Sequence, residues 1–301
     1  MFLYAEGGGH HTPLIVEFIN HYLGEPVYHF QMAYTRPLWT AFFAKFGTTP
    51  EKVFGSEYSP ETAIPWYTIM FVIACILSVI VIRMLKDKLS EGDPSNTQLT
   101  LEAGFLAVKD LATSVIGEHG LKYLPVVATF SVLVLVSNLM GLFPLFMSPT
   151  ASVNVTFALA ITSFIYYNYV GISENGIINH LAHLTGPKLP FVLTLIITPL
   201  IFGIELISNM IRPFTLGVRL FANMFADEKI AFEFANMAPP YTQILIPVLL
   251  MPLGVFVAFV QTLVFTLLSM IYISEVSHAP HEHHDEEQAH DASGEPTAAH
   301  A

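Results

Sequence analysis

Between Leu189 and Ala235 apolar side chains dominate, yet Glu205, Arg212, Arg219, Asp227, Glu228, Lys229 and Glu233 lie within the run. About 47 residues is more than twice the roughly 20 that cross a bilayer upright. An ionised side chain at the centre of a membrane helix costs about 2.5–3.5 kcal/mol on insertion scales. Such groups persist where they face a wet cavity or a partner. The spacing is ordered as well. Glu205, Arg212 and Arg219 recur every seven residues, within roughly 40° of one helical face. Asn223, one turn beyond Arg219, joins that face, whereas Glu228, nine residues on, lies about 180° round. One helix thus carries a permanent cation on one side and a titratable carboxylate on the other. An ion path in two halves, divided by a charge that cannot be neutralised, needs this layout.

Only 12% of the residues are charged and 53% are hydrophobic, against about 25% charged in soluble domains. The class is therefore an all-α polytopic membrane protein. The net charge of -12 gathers towards the ends of the chain and argues against a nucleic-acid partner, which demands basic faces. Cys75 is the single cysteine; it excludes an intrachain disulfide and reads as a small core or lipid-facing residue.

Ile64–Ile82 is the first span expected, with Trp66 and Tyr67 as interfacial anchors and Arg83, Lys86 and Lys88 marking its cytoplasmic end. Residues 1–63 then form an extracytoplasmic segment with short helices over Leu14–Leu23 and Ala33–Phe46. Ser95–Glu118 reads as an amphipathic helix on the cytoplasmic surface, its apolar face built from Leu101, Phe105, Val108, Leu111 and Ala112. Leu124–Met147 and Val153–Ile172 form a helical hairpin turning at Pro149 and Thr150. Asn138 lies in the first of these spans, where a buried amide is most simply interhelical glue. Ser173–Lys188 is a cytoplasmic loop or surface helix. The run Leu189–Ala235 is bent by Pro199 and Pro213, and strong tilt would keep its charges on a protein seam. After a turn at Asn236–Pro240, Ile244–Ile273 is a last long helix with Gln261, Thr262, Thr266 and Ser269 as its polar set. Gln261 can hydrogen-bond a guanidinium without neutralising it. Residues 64–276 are one membrane domain with five embedded helices, N-terminus outside and C-terminus inside. Residues 277–301 are an acidic, His-rich, disordered tail. His10 and His11, the pair His180 and His183, and the tail allow metal ligation, but no complete ligand set is spelled out. Neither a metal nor a cofactor is expected.

The run ELISNMIRPFTLGVRLFANMFADE resembles the signature of subunit a of F-type ATP synthases. SNLMGLFP around Asn138 and FVQTLVFTLLSMIYIS near the end extend the resemblance over roughly residues 60–275. It implies a non-catalytic stator subunit, packed against a ring of c subunits and held by peripheral-stalk b subunits, in the inner membrane of a bacterium. The family's essential arginine falls on Arg219. Its polar pathway positions fall on Glu205, Asn223, Glu228, Gln261 and Asn138, with Asp227 able to share the load of Glu228. Arg212 and Tyr272 match a basic and a polar position. One departure stands out: where some members pair the acid at Glu228 with a His or acid on the last helix, this chain has Gly254. Two other readings start from the residues. Arg219 could form a structural ion pair with Glu205, or the chain could be an ion-coupled secondary transporter or channel. No internal repeat supports the transporter, and no HExxH or GxSxG supports an intramembrane hydrolase.

Overall fold

The computed structural model describes residues 4–5, 12–45, 47–49, 60, 63–86, 95–143, 146–183, 191–235, 237 and 241–277, with side chains excepted at 4–5, 12, 85, 177–183, 191–198, 232, 235, 241–244 and 246–247. His10, His11, the side chains of His180 and His183, and the tail beyond Ser277 lie outside that account, as does any metal site there. Strands β1 (Tyr4–Ala5) and β2 (Thr12–Pro13) pair antiparallel; the other described elements are helices. The two short N-terminal helices expected from the sequence follow each other without a break. α1 (Leu14–Phe30) passes through a π turn, Gln31–Thr35, into α2 (Arg36–Ala44). Pro37 explains the wide turn, because its ring would clash with the carbonyl four residues back, and a π turn opens that spacing.

α3 (Trp66–Leu85) starts from the extended residue Pro65 and ends with Arg83 against its carboxyl end, where a cation is favoured. α4 (Asn96–Ile116) is capped by Ser95, whose Oγ accepts the Gln98 N–H at 3.3 Å. α5 (Leu124–Met140) is shorter than the run to Met147 suggested. Gly141 is a poor helix former and Pro144 disfavours helix in the residue before it, so the chain leaves the helix and reaches a 3-10 turn at Pro149–Ala151. α6 (Val153–His183) runs past the expected Ile172, but its helical geometry breaks at Gly176 (φ 75, ψ 158). α7 (Phe191–Ala235) holds 45 residues with both prolines inside it, and α8 (Tyr241–Ser277) holds 37.

Four stretches are long and apolar enough to cross a membrane: Trp66–Met84, Val153–Gly176, Pro199–Ala231 and Val248–Ser277, with Leu124–Met140 as a shorter apolar helix. The chain is a multi-pass membrane protein whose spans are helices, the architecture that satisfies backbone polar groups without water. Side chains such as Val72, Ile76 and Val79 on α3 are exposed, as a lipid-facing surface requires.

The chain divides into two compact units. The first comprises Met1–Gln98, Val132–Thr156 and Leu220–Thr262; the second comprises Leu99–Ser131, Phe157–Arg219 and Leu263–Ala301. In the first, Val16, Ile69, Met70, Ala74 and Met140 make the core. Beside it, Asn20 Nδ2 donates to the Ile64 carbonyl at 3.1 Å and its Oδ1 accepts the Ile64 N–H at 3.2 Å. In the second unit the core joins Ala112 and Ile116 of α4 to Tyr167, Val170, Met270 and Ile273. Val108 and Leu111 pack against it, while Phe105, assigned to the same face, stays half exposed. Asn20 is itself buried, so Asn20→Ala strands two backbone groups of Ile64. The expected cost is about 1–3 kcal/mol, measured as a lower thermal unfolding midpoint of the detergent-solubilised protein.

Candidate functional site

The polar residues gather in two places, one in each unit. In the first unit the off-helix stretch after α5 provides the key donor. The backbone N–H of Ser148 donates to Glu228 Oε1 at 2.7 Å. A helix interior has no spare amide to give, because each N–H is bonded four residues back; the irregular chain after Gly141 does. Gly141 is needed there for room, since a Cβ on it would stand 3.0 Å from the Ser148 Cβ and 3.3 Å from Glu228 Oε1.

Behind Ser148 runs a buried chain of oxygens. Ser148 Oγ is 3.0 Å from the Ser137 carbonyl and 2.6 Å from Thr150 Oγ1, and Thr150 Oγ1 is 2.6 Å from the Asn138 amide. Two hydroxyls have two hydrogens for these three contacts. Thr150 Oγ1 donates to Asn138 Oδ1 and Ser148 Oγ to the Ser137 carbonyl, and the short Ser148–Thr150 contact shares one of those two hydrogens. Asn138 Nδ2 has no partner among the described residues. Asn138 is therefore a member of the network that starts at Glu228, beyond a role as interhelical glue.

Asp227 faces the last helix: a Cβ built on Gly254 would come 3.2 Å from Asp227 Oδ2 and 2.5 Å from Leu142 Cδ2. In the same unit Asn223 Nδ2 donates to Gln261 Oε1 at 2.6 Å. Gln261 is buried and its Nε2 has no partner among the described residues.

In the second unit Arg212 is the centre. Its Nη2 donates to Glu275 Oε1 at 2.7 Å, its Nη1 donates to Glu275 Oε2, and Glu205 Oε1 lies at 3.5 Å. The guanidinium carbon sits 5.3 Å from the Tyr272 ring centre, within cation–π range. Tyr167 donates its hydroxyl to Asn209 Oδ1. Arg219 differs. It is exposed, and among the described residues no ion pair or hydrogen bond engages it. Glu205, the acid offered from the sequence as its structural partner, is at Arg212 instead.

The sequence singles out Glu228, Asn138, Asp227, Asn223 and Gln261, which lie in the first unit, and Glu205 and Arg219, which lie in the second. It missed Ser148 and Thr150, which look like turn residues, and Glu275. The last had a signal: it is the single charged residue of α8. Among the described residues no group of His, Cys, Asp and Glu could hold a metal ion.

Similarity to known proteins is extensive. A profile of the ATP synthase A chain family matches residues 66–274. ATP synthase subunit a of Solibacter usitatus is 36% identical over 75% of this chain and 92% of its own length. ATP synthase subunit a 3 of Pelobacter propionicus is 38% identical over 72% of this chain and 88% of its own. A second protein of that bacterium, ATP synthase subunit a 1, is 42% identical over 60% and 74%.

The Ser148–Glu228 bond separates two substitutions. Glu228→Gln keeps an oxygen for the Ser148 N–H, whereas Glu228→Ala leaves a part-buried donor bare. Alanine should cost about 1–3 kcal/mol more than glutamine, read as the difference between their unfolding midpoints in detergent.

Proposed function

The chain belongs to the ATP synthase A chain family, and we propose that its two polar sites serve the two halves of a proton path, with Arg219 as the charge that divides them. As a component of the membrane sector of ATP synthase it works with that enzyme's other subunits. The observation that carries the reading is Arg219: a permanent cation in an apolar helix, exposed, with no acid beside it among the described residues. A buried structural arginine would have found its carboxylate within the chain, as Arg212 has. Arg219 is open to a carboxylate supplied from outside.

That partner is a ring of c subunits carrying one mid-membrane carboxylate each. Support comes from the neighbours of Arg219 at helical spacing. Thr215, Ala222 and Ala226 are small and exposed, as close approach of another helix requires. A guanidinium stays charged at any working pH, and a ring carboxylate facing it is held ionised. Facing lipid, the same carboxylate must carry a proton, because a bare charge there is costly. The ring can therefore turn only if protons load on one side of Arg219 and leave on the other. The membrane potential, worth roughly 2.3 kcal/mol per charge per 100 mV, gives the rotation its direction. Arg219 also repels a proton crossing straight between the halves.

Glu228 is the acid of the outer half-channel, with the Asn138–Thr150–Ser148 chain behind it. Asp227 reaches the space opposite Gly254 and supplies from α7 the second ionisable group that some relatives carry on the last helix. Asn223, four residues after Arg219 on α7, bonds Gln261 without adding a charge. Glu205 serves the inner half-channel. Residues 64–276 form the membrane domain, with residues 1–63 outside the cell membrane and the C-terminal tail inside. The turns at 148–152 and 236–242 carry no Lys or Arg, and Arg83, Lys86, Lys88, Lys109 and Lys122 fall on the cytoplasmic side. The chain performs no bond chemistry itself, and peripheral-stalk b subunits hold it against the ring.

ATP-driven proton pumping into membrane vesicles tests the reading. Arg219→Ala should abolish pumping with the complex assembled, and should add a passive leak. Arg219→Lys should fail too, since an ammonium lacks the planar fork and deprotonates when desolvated. Pumping at the parent rate by either variant would overturn the proposal.

A further inference from the structure

We infer that Glu275 is a positioning residue for proton transfer: it saturates Arg212 so that Glu205 is left to pick up and release protons. The inference rests on the proton-path reading above and assigns Glu275 a part in it. Three charged side chains meet here, one cation and two anions. Glu275 takes both ends of the guanidinium, Nη1 with Oε2 and Nη2 with Oε1 at 2.7 Å. Glu205 has only a 3.5 Å contact to Nη2. A bidentate pair is the stronger and more directional of the two. The trio sums to one negative charge when all are ionised, an excess that low-dielectric surroundings resist. The carboxyl without a full partner is where a proton can come and go.

The end of α8 is built to hold Glu275 in place. Ser274 Oγ donates to the Val115 carbonyl at 2.9 Å, and Asn175 Nδ2 donates to the Val276 carbonyl at 2.8 Å, so both chain neighbours are tied within the unit. The Arg212 side chain is 17% exposed, while those of Glu205 and Glu275 are 36% and 39% exposed. The cation is thus enclosed and Glu205 remains open. Tyr272, under the guanidinium, and Tyr167 are the other ionisable groups facing the cluster, and both also feel the Glu275 charge. Arg219 acts electrostatically on Tyr272.

The test uses the whole complex in vesicles, comparing Glu275→Gln, the double variant Glu275→Gln/Arg212→Gln, Glu205→Gln and Arg219→Ala. In Glu275→Gln the guanidinium turns to Glu205. Assembly with the other subunits should stay at the parent level while ATP-driven pumping falls roughly tenfold, the change made by one unit of proton affinity. The double variant restores the cluster's net charge and frees Glu205, so pumping should recover most of that loss. A clamp that merely joined α7 to α8 would be lost in both variants and show no recovery. Failed assembly of Glu275→Gln, parent-rate pumping by it, or a double variant as slow as the single one would each overturn the inference. Parent-rate pumping by Glu205→Gln or Arg219→Ala would instead sink the proton-path reading beneath it.

Discussion

An ion in hydrocarbon needs a counter-charge, a hydrogen-bond donor or a partner within a few ångströms, and this rule sorts the charges of α7. Arg212 has Glu275 on both ends of its fork. Glu228 has the Ser148 amide. Lys229 lies 5.6 Å from the centre of the Phe225 ring. Glu233 falls past the end of the apolar stretch, which closes at Ala231. Among the described residues Asp227 and Arg219 have no such partner. Asp227 can take up a proton, whereas Arg219 stays charged, and with several kcal/mol at stake for an unpaired cation the proposed reading supplies its carboxylate from another subunit.

The break after α5 follows from the same rule. A transmembrane helix uses its own amides and has none left for a carboxylate, so an acid on α7 can be held by a backbone only where a neighbouring chain is not helical. Irregular backbone at membrane depth is tolerated when it is covered by protein, and Ser148, Thr150 and Ala151 are all buried. Gly141 and Pro144 end the helix, and Gly141 leaves the space into which Glu228 reaches. A feature that reads in the sequence as a mere hairpin turn is the part that fixes the acid.

Much of the architecture was legible because membrane spans announce themselves by length and composition. The opposed faces of Arg219 and Glu228 followed from counting residues along one helix. What could not be counted was any pairing across the chain. The sequence offered Glu205 as a structural partner for Arg219, but fourteen residues of helix hold them about 21 Å apart, and Glu205 lies at Arg212 instead. The end of α5 was misplaced because Leu142, Phe143, Leu145 and Phe146 continue the apolar pattern, which hides a helix end when the surroundings are apolar too. Ser148 and Thr150 carried no signal, since their importance lies in hydrogen bonds to residues far along the chain.

The polar residues that α8 offers to α7 differ in kind, and the difference follows the charge each has to meet. At Glu275 it offers a carboxylate, and the cation there is silenced. At Gln261 it offers an amide, bonded to Asn223, one helical turn from Arg219. An amide there adds no counter-charge to α7 four residues beyond Arg219, which agrees with the proposal that Arg219 meets a carboxylate of another subunit. An amide is polar enough to be satisfied in the interior and too weak to hold a guanidinium against an ionised rival. Of the two arginines seven residues apart on α7, Arg212 is thus fixed by α8, while Arg219 has no ion pair or hydrogen bond among the described residues.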